Sequence, residues 1–573
     1  LPATTRPGLL DALSALPFAY RWTARWIGLD KADAEREITR LRKRWFAKRK
    51  GLGVLLREAI TKEEVPLLDT DAAGKTAECD AALATLGAEA CAFGYLTLTV
   101  TLLDADDAAA SEKARAVEAA LNAQGLVART EDLNAVEAWL GGLPGEVHAD
   151  VRRPLVSSLN LADLLPVSAV WAGPRDDAGL AGPPLAVART TGSTPFRLVL
   201  HVGDVGHALV VGPTGAGKSV LLAFLALQWL RYPRARVVFL DKGRSARAAT
   251  LAAGGRWRAL EPGGALALQP LARLEEPAER AWAADWLEDA ATAAGLAVDP
   301  TRRAAVWAAL GALAAAPPAQ RSLTVFRALV QDPPLAAALE PLTLTGPFGG
   351  LLDGAGADPG ASLFDTYELE TLMAHRGALA PALSALFHDL ERGFDGRPTL
   401  LVLDEAWLFL DDTRFAARIR AWLKTLRKRR VAVVFATQAL EDVAASAIAA
   451  SLIESCPTQI FLPNARALDP GSAAHYQLFG LNPRQLELIA FAAPKRAYYW
   501  RQPHGRRLFD LKLSGAGLAF CGASAPEDQA LIDRVLARAD PNGFARAFLE
   551  AKGFTHVDAL FAALAAPARL AAE

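Results

Sequence analysis

Cysteine and methionine are scarce: four cysteines, Cys79, Cys91, Cys456 and Cys521, and the single Met373 in 573 residues. Four scattered cysteines make no disulfide framework, and none sits in a C-x-x-C pair that could hold zinc, so a reducing compartment fits best. The eight histidines, His375 and His388 among them, show no ligand spacing, and no Ser-His-Asp or Cys-His arrangement is legible. No apolar run reaches the length of a membrane span. The Ala-rich stretch Ala304 to Ala316 is bounded by Arg302 and Arg303 on one side and by Pro317 and Pro318 on the other. Net charge is also missing: 62 Lys and Arg against 63 Asp and Glu leave −1, which argues against a protein that neutralises phosphates over its whole surface. A charged-then-apolar leader is absent, and the first residue is Leu1 rather than Met, so a fragment or trimmed product is expected.

What is present suits large folded cores, with 52% hydrophobic and 22% charged residues. At about 150 residues per domain the length suggests three or four domains. Residues 1–171 mix helical stretches at Lys31 to Arg49, Asp71 to Leu86 and Ala108 to Gln124 with a strand-like run Ala92 to Leu103, an α+β pattern. Residues 172–195 are rich in Gly, Pro, Asp and Thr and read as a linker. From 196 onward short β-rich runs alternate with helical stretches, the signature of a mostly parallel α/β sheet. Those runs are Ala208 to Val211, Arg236 to Leu240, Ser362 to Tyr367, Thr399 to Leu403, Val431 to Ala436 and Gln459 to Leu462. The core is expected over 196–274 and 346–515, with a helical insertion at 275–345 broken at Pro300, Pro317 and Pro333. A hairpin around Pro503, His504 and Gly505 and two amphipathic helices in 516–573 complete the chain.

The strongest motif is Gly212, Pro213, Thr214, Gly215, Ala216, Gly217, Lys218 and Ser219, followed by Val220. It matches G-x-x-x-x-G-K-[ST] between a strand and a helix. Glycines let backbone N–H groups turn toward phosphates, Lys218 reaches the β and γ phosphates, and Ser219 offers a hydroxyl to Mg²⁺. A chance match in a chain of this length has odds of roughly 2%, so the loop is read as phosphate-binding. Downstream, the strand from Leu400 ends in Asp404 and Glu405. Asp404 is placed for the Mg²⁺ shell and Glu405 for polarising an attacking water. The strand Val431 to Ala436 ends in Thr437 and Gln438, which makes Gln438 a sensor candidate.

Between those strands a helix ends in Leu426, Arg427, Lys428, Arg429 and Arg430. A helix dipole favours such cations anyway, but a ring-forming ATPase needs an arginine delivered to its neighbour's γ-phosphate. Arg427 is the candidate, with Arg430 next. Asp241, Lys242 and Gly243 end another core strand, where they either face the nucleotide or form an ordinary turn.

Further segments join these: Thr191 to Phe196, Phe239 to Gly243, Leu403 to Trp407, Ala436 to Gln438, Ile460 to Asn464 and Gly480 to Ile489, with Phe93 to Tyr95 and Arg153 to Pro166 upstream. Together they resemble the TrbE-type conjugative transfer ATPases, the large ATPases of type IV secretion systems, related to coupling proteins and to FtsK- and HerA-like translocases. The resemblance covers nearly the whole chain. It implies a RecA-like P-loop NTPase core with a helical insertion, preceded by an α+β domain whose start lies upstream of Leu1. It also implies ATP and Mg²⁺ as cofactors, a cytoplasmic homo-oligomer, most naturally a hexamer, and docking on inner-membrane and cytoplasmic components of a secretion channel to drive pilus assembly and export. Family roles fall on Lys218, Ser219, Asp404, Glu405 and Gln438, with the trans arginine on Arg427. Two alternatives stay open: a double-stranded DNA translocase of the FtsK or HerA kind, against which near-neutral charge counts mildly, and a nucleotide-gated assembly scaffold.

Overall fold

The computed structural model describes residues 5–16, 18–48, 69–165, 171–190, 194–264, 266–354, 362–405, 413–438, 440–538 and 543–565. Arg49, Pro166, Thr191, Gly192, Ser193, Ala406 and Trp407, which belong to segments named above, lie outside these residues. Two units emerge, one built from 1–171 and one from 172 onward, apart from 192–194, which group with the first.

In the first unit, β1 (Arg21–Gly28), β2 (Phe93–Thr101) and β3 (Leu155–Ser157) form an antiparallel sheet with β2 in the centre. Helices α1 (Lys31–Lys48) and α2 (Thr70–Gly87) pack together, burying Ala34, Ile38 and Leu86 against Phe93. A third helix, α3 (Asp107–Asn122), begins at Asp106, whose carboxylate accepts from the Ala108 and Ala109 N–H groups; Asp69 caps α2 in the same way. The expected α+β pattern is observed, and β1 and β3 are added strands.

The second unit is organised by an eleven-stranded sheet. Its strands are β4 (Ala186–Thr190), β5 (Pro195–Leu198), β6 (Ala208–Val211), β7 (Arg236–Asp241), β8 (Arg256–Ala259), β9 (Phe364–Glu368), β10 (Thr399–Leu403), β11 (Val431–Thr437), β12 (Thr458–Phe461), β13 (Ala497–Gln502) and β14 (Gly505–Asp510). The order is β5-β4-β14-β13-β12-β6-β11-β10-β7-β9-β8. From β12 to β8 every pairing is parallel, and from β12 to β5 every pairing is antiparallel. Strands β6, β7, β10 and β11 are buried along their whole length, as a parallel sheet covered on both faces requires.

Three features differ from the sequence expectation. Part of the segment read as a linker enters the sheet: β4 pairs with β14 and β5, and Asp177 is fully buried. Short antiparallel strands at a sheet's margin tolerate Pro and Gly, so their periodicity is weak. In the insertion, Pro300 and Pro333 open helices rather than break them, each as the first residue after an aspartate cap. Proline suits that position because its missing N–H has no helical partner to lose. The C-terminal region, expected as two helices, holds four among the described residues: Gly515–Cys521, Pro526–Leu536, Phe544–Ala551 and Val557–Ala565. At the far margin, Asp365 in β9 is buried beneath Arg236, Arg256 and Arg258, with N···O distances of 3.4, 2.9 and 3.0 Å. This cluster explains how the charged run Arg-Trp-Arg-Ala becomes strand β8.

Candidate active site

The loop from Gly212 to Gly217 joins β6 to helix α4 (Lys218–Trp229). Glycine at 212 is dictated by packing, since a Cβ there would lie 2.4 Å from the Cβ of Leu462. Gly217 has φ 105°, and a side chain would press on the Tyr498 hydroxyl at 3.0 Å and the Lys495 Cα at 3.2 Å. Lys495 N–H donates to the Ala216 carbonyl at 2.9 Å, so the turn before β13 braces the loop from behind. No side chain caps α4, whose first N–H groups are therefore available to an anion. Pro213, Ser219 and Val220 are half-buried, Thr214 and Gly215 exposed, and Ala216 buried, with Ser219 in the first turn of α4.

Parallel neighbours align their C-terminal ends, so β6, β11 and β10 bring the loop, Gln438 and the two carboxylates together. Lys218 Nζ lies 2.8 Å from Glu405 Oε1 and 3.0 Å from Asp404 Oδ1, and all three residues are buried. Gln438 Nε2 donates to the same Glu405 Oε1 at 2.6 Å, while Thr214 Oγ1 donates to Gln438 Oε1 at 2.5 Å. The Glu405 N–H donates to Asp404 Oδ1 at 3.0 Å. Glu405 holds φ 55°, a left-handed conformation uncommon for a glutamate, and strain of this kind gathers at functional sites. Burial raises the Asp404 carboxyl above its ordinary value, Lys218 pulls it back down, and Glu405 pushes it up.

Two carboxylates from the next strands extend this row. Asp241 ends β7 and Glu368 ends β9, paired in register and both buried. Glu368 is absent from the sequence-based candidates, because its strand Phe-Asp-Thr-Tyr-Glu is not the apolar run that marks Asp404. It accepts from the N–H groups of Gly243, Arg244 and Glu370, so it fixes the turn after β7. Burial raises both carboxyls, and Glu368 raises Asp241 further. A carboxyl raised in the fold stabilises it most below the ordinary range, and that advantage is lost as pH climbs through the folded value. Asp241 Oδ1 accepts from the Ser245 hydroxyl at 2.6 Å and Oδ2 from the Ala246 N–H at 2.8 Å. Asparagine can keep both contacts, its carbonyl taking the N–H and its amide donating to the hydroxyl oxygen. Asp241→Asn is therefore expected to leave stability near pH 4 unchanged and to raise it by about 2 kcal/mol near pH 8. Chemical unfolding at the two pH values checks this, and an equal effect at both would refute the burial of charge as the cause.

Arg427 sits apart from these groups. It lies in the turn Leu426–Arg429 just before β11, at the opposite end of the parallel strands from Gly212, exposed and 3.8 Å from Asp204. Seven residues of β11 separate the two ends, about 23 Å at strand rise. Within one chain Arg427 does not meet the Gly212–Gly217 loop. Arg430, at φ 57°, closes the same turn.

Residues 56–152 match the model of the CagE, TrbE, VirB family, described as a component of a type IV transporter system. The chain is 43% identical to a TrbE conjugal transfer protein of Sinorhizobium fredii, over 92% of this chain and 80% of that one. It is 41% identical to the conjugal transfer protein TrbE of Rhizobium radiobacter, over 98% of this chain and 69% of that one. In three dimensions it resembles VirB4 of Thermoanaerobacter pseudethanolicus, with a TM-score of 0.50 and 18% identity, over 60% of this chain and 99% of that one.

Proposed function

This chain belongs to the CagE, TrbE, VirB family of type IV transporter components, as a subunit of the type IV secretion and conjugation ATPase class, and from that premise we propose that it hydrolyses ATP as a motor. The observation that carries the reading is Glu405 Oε1 held at once by Lys218 and Gln438. A residue of the phosphate-binding loop, a sensor amide and a carboxylate at the neighbouring strand tip then act as one unit.

In this reading the loop 212–217 and the α4 N-terminus bind the phosphates, Lys218 leaves the carboxylates to neutralise them, and Glu405 takes a proton from the attacking water. Ser219 and Asp404 would hold Mg²⁺, which when bound supplies charge neutralisation between the β and γ phosphates. That donor set fits: among the described residues no group of three or more His, Cys, Asp or Glu could cage a metal alone, and Mg²⁺ usually keeps waters and substrate phosphates beside one or two protein oxygens. Arg427, exposed and remote from its own loop, is available to the γ-phosphate of a neighbouring copy, which calls for a ring, most simply a hexamer. No described helix is long and apolar enough to cross a membrane. Placement at the cytoplasmic face of the channel, through its inner-membrane and cytoplasmic components, completes the proposal. A scaffold that merely binds nucleotide has no use for a strained Glu405 joined to Gln438.

Native mass measurement with and without ATP and Mg²⁺ tests the assembly. An oligomer promoted by nucleotide is expected, and a strict monomer under all conditions would remove the basis for Arg427 acting in trans.

A further inference from the structure

Strand β6 ends at the phosphate-binding loop, and its other end meets the arginine turn. Val202 and Val205 exchange backbone hydrogen bonds of 2.9 and 3.2 Å, closing a two-residue turn on Gly203 and Asp204, with Gly203 at φ 62°. This rigid tip presents Asp204 to Arg427 at 3.8 Å. Gly206 lets the segment lie against β11, because a Cβ there would come within 2.8 Å of the Ala432 Cβ. His207 follows, fully buried, its Nδ1 accepting from the Val433 N–H at 3.1 Å. An accepting Nδ1 leaves the proton of the neutral ring on Nε2.

That Nε2 is buried and makes no hydrogen bond of good geometry, although the Leu423 carbonyl is near enough to act on the ring. Leu423 belongs to the last turn of helix α5 (Thr413–Thr425), which runs directly into Leu426–Arg429. Burial pushes the imidazole down to about 4, with His201 and Arg427 adding to the fall and Asp204 and the Leu423 carbonyl opposing it, so the ring is neutral at physiological pH. One neutral ring therefore touches the start of β11 and faces the end of α5, the two elements that the arginine turn connects. Strand β6 carries it to Gly212, five residues on and about 16 Å away at strand rise.

We propose that His207 is a positioning residue for the trans arginine, holding the Leu426–Arg430 turn in register with the chain's own phosphate-binding loop through β6. The inference rests on the reading of Arg427 as the arginine delivered to the neighbour.

The test is ATP hydrolysis by single and mixed proteins. His207→Ala is expected to lower kcat about tenfold or more with little change in KM, as a small misplacement of a catalytic group does. His207→Asn, whose amide oxygen can stand in for Nδ1, is expected to restore most of it. A merely structural defect would also slow the enzyme, so mixing decides. His207→Ala keeps a sound phosphate-binding loop, and Lys218→Ala keeps a sound arginine turn, so equal mixtures should turn over faster than the sum of the separate proteins. Should His207→Ala fail to fold, His207→Leu, which keeps the buried volume, takes its place. The mixture of Arg427→Ala with Lys218→Ala serves as reference. No gain in that reference would overturn the reading of Arg427 itself. Gain in the reference with none for the His207 variant, or full activity of the His207 variant alone, would overturn the role of His207.

Discussion

Glu405→Gln is expected to reduce ATP turnover about a thousandfold, the scale set by removing a general base, while nucleotide binding persists. Glutamine has the same shape and can still accept from Lys218 and Gln438 through its carbonyl oxygen, so the three-residue unit stays assembled. What it loses is the ability to accept a proton. The substitution also removes a negative charge that pushes the Asp404 carboxyl up, so Asp404 should titrate closer to its ordinary value. Rate and binding must therefore be measured on the same preparation. Loss of binding together with turnover would indicate that Glu405 holds the site together rather than acting on water.

Lys218→Ala is expected to abolish turnover and, in addition, to weaken the fold in a pH-dependent way. The ammonium lies within 3.0 Å of two buried carboxylates. Removing one partner from a buried ion pair costs about 3–5 kcal/mol because the remaining charge is stranded. Here the stranded groups are acids, and they can escape by taking up protons. The Asp404 value, already raised, rises further without the ammonium, so the deficit is small at acid pH and grows as pH rises through that value. Unfolding midpoints should separate from the parent more widely near pH 8 than near pH 5. A deficit that shrinks toward alkaline pH would contradict the assignment of Lys218 as the counter-charge. On the proposed function Lys218 adds phosphate binding to its neutralising of Asp404 and Glu405, so a variant made to test the first alters the second.

The parallel core is legible in the sequence because β6, β7, β10 and β11 are covered on both faces and read as nearly unbroken apolar runs. Strands with a polar partner are not. Arg256 and Arg258 of β8 become strand residues by pairing with Asp365, and that partner lies about a hundred residues away in sequence. Strand β1, Arg-Trp-Thr-Ala-Arg-Trp-Ile-Gly, alternates polar Arg21, Thr23 and Arg25 with Trp22, Ala24 and Trp26, but none of its residues is fully buried and its apolar signal is weak. In the site, residues consecutive in sequence are legible, because a P-loop is a local motif. The bracing of Gly217 by Tyr498 and Lys495, and the addition of Glu368 beside Asp241, depend on which strands adjoin, and strand order is not written in any one segment. The basic turn is visible as four consecutive cations. That it stands at the far end of β11 from the loop, and that His207 lies beneath it, requires the register.

The central claim is that this site, and these carboxylates, hydrolyse ATP. The most direct measurement is the steady-state release of phosphate from ATP and Mg²⁺ by the purified chain and by the Lys218→Ala, Glu405→Gln double variant prepared identically. Turnover by the parent chain with background release by the double variant is the predicted result. Substantial turnover by a double variant free of contaminating enzyme would contradict the claim.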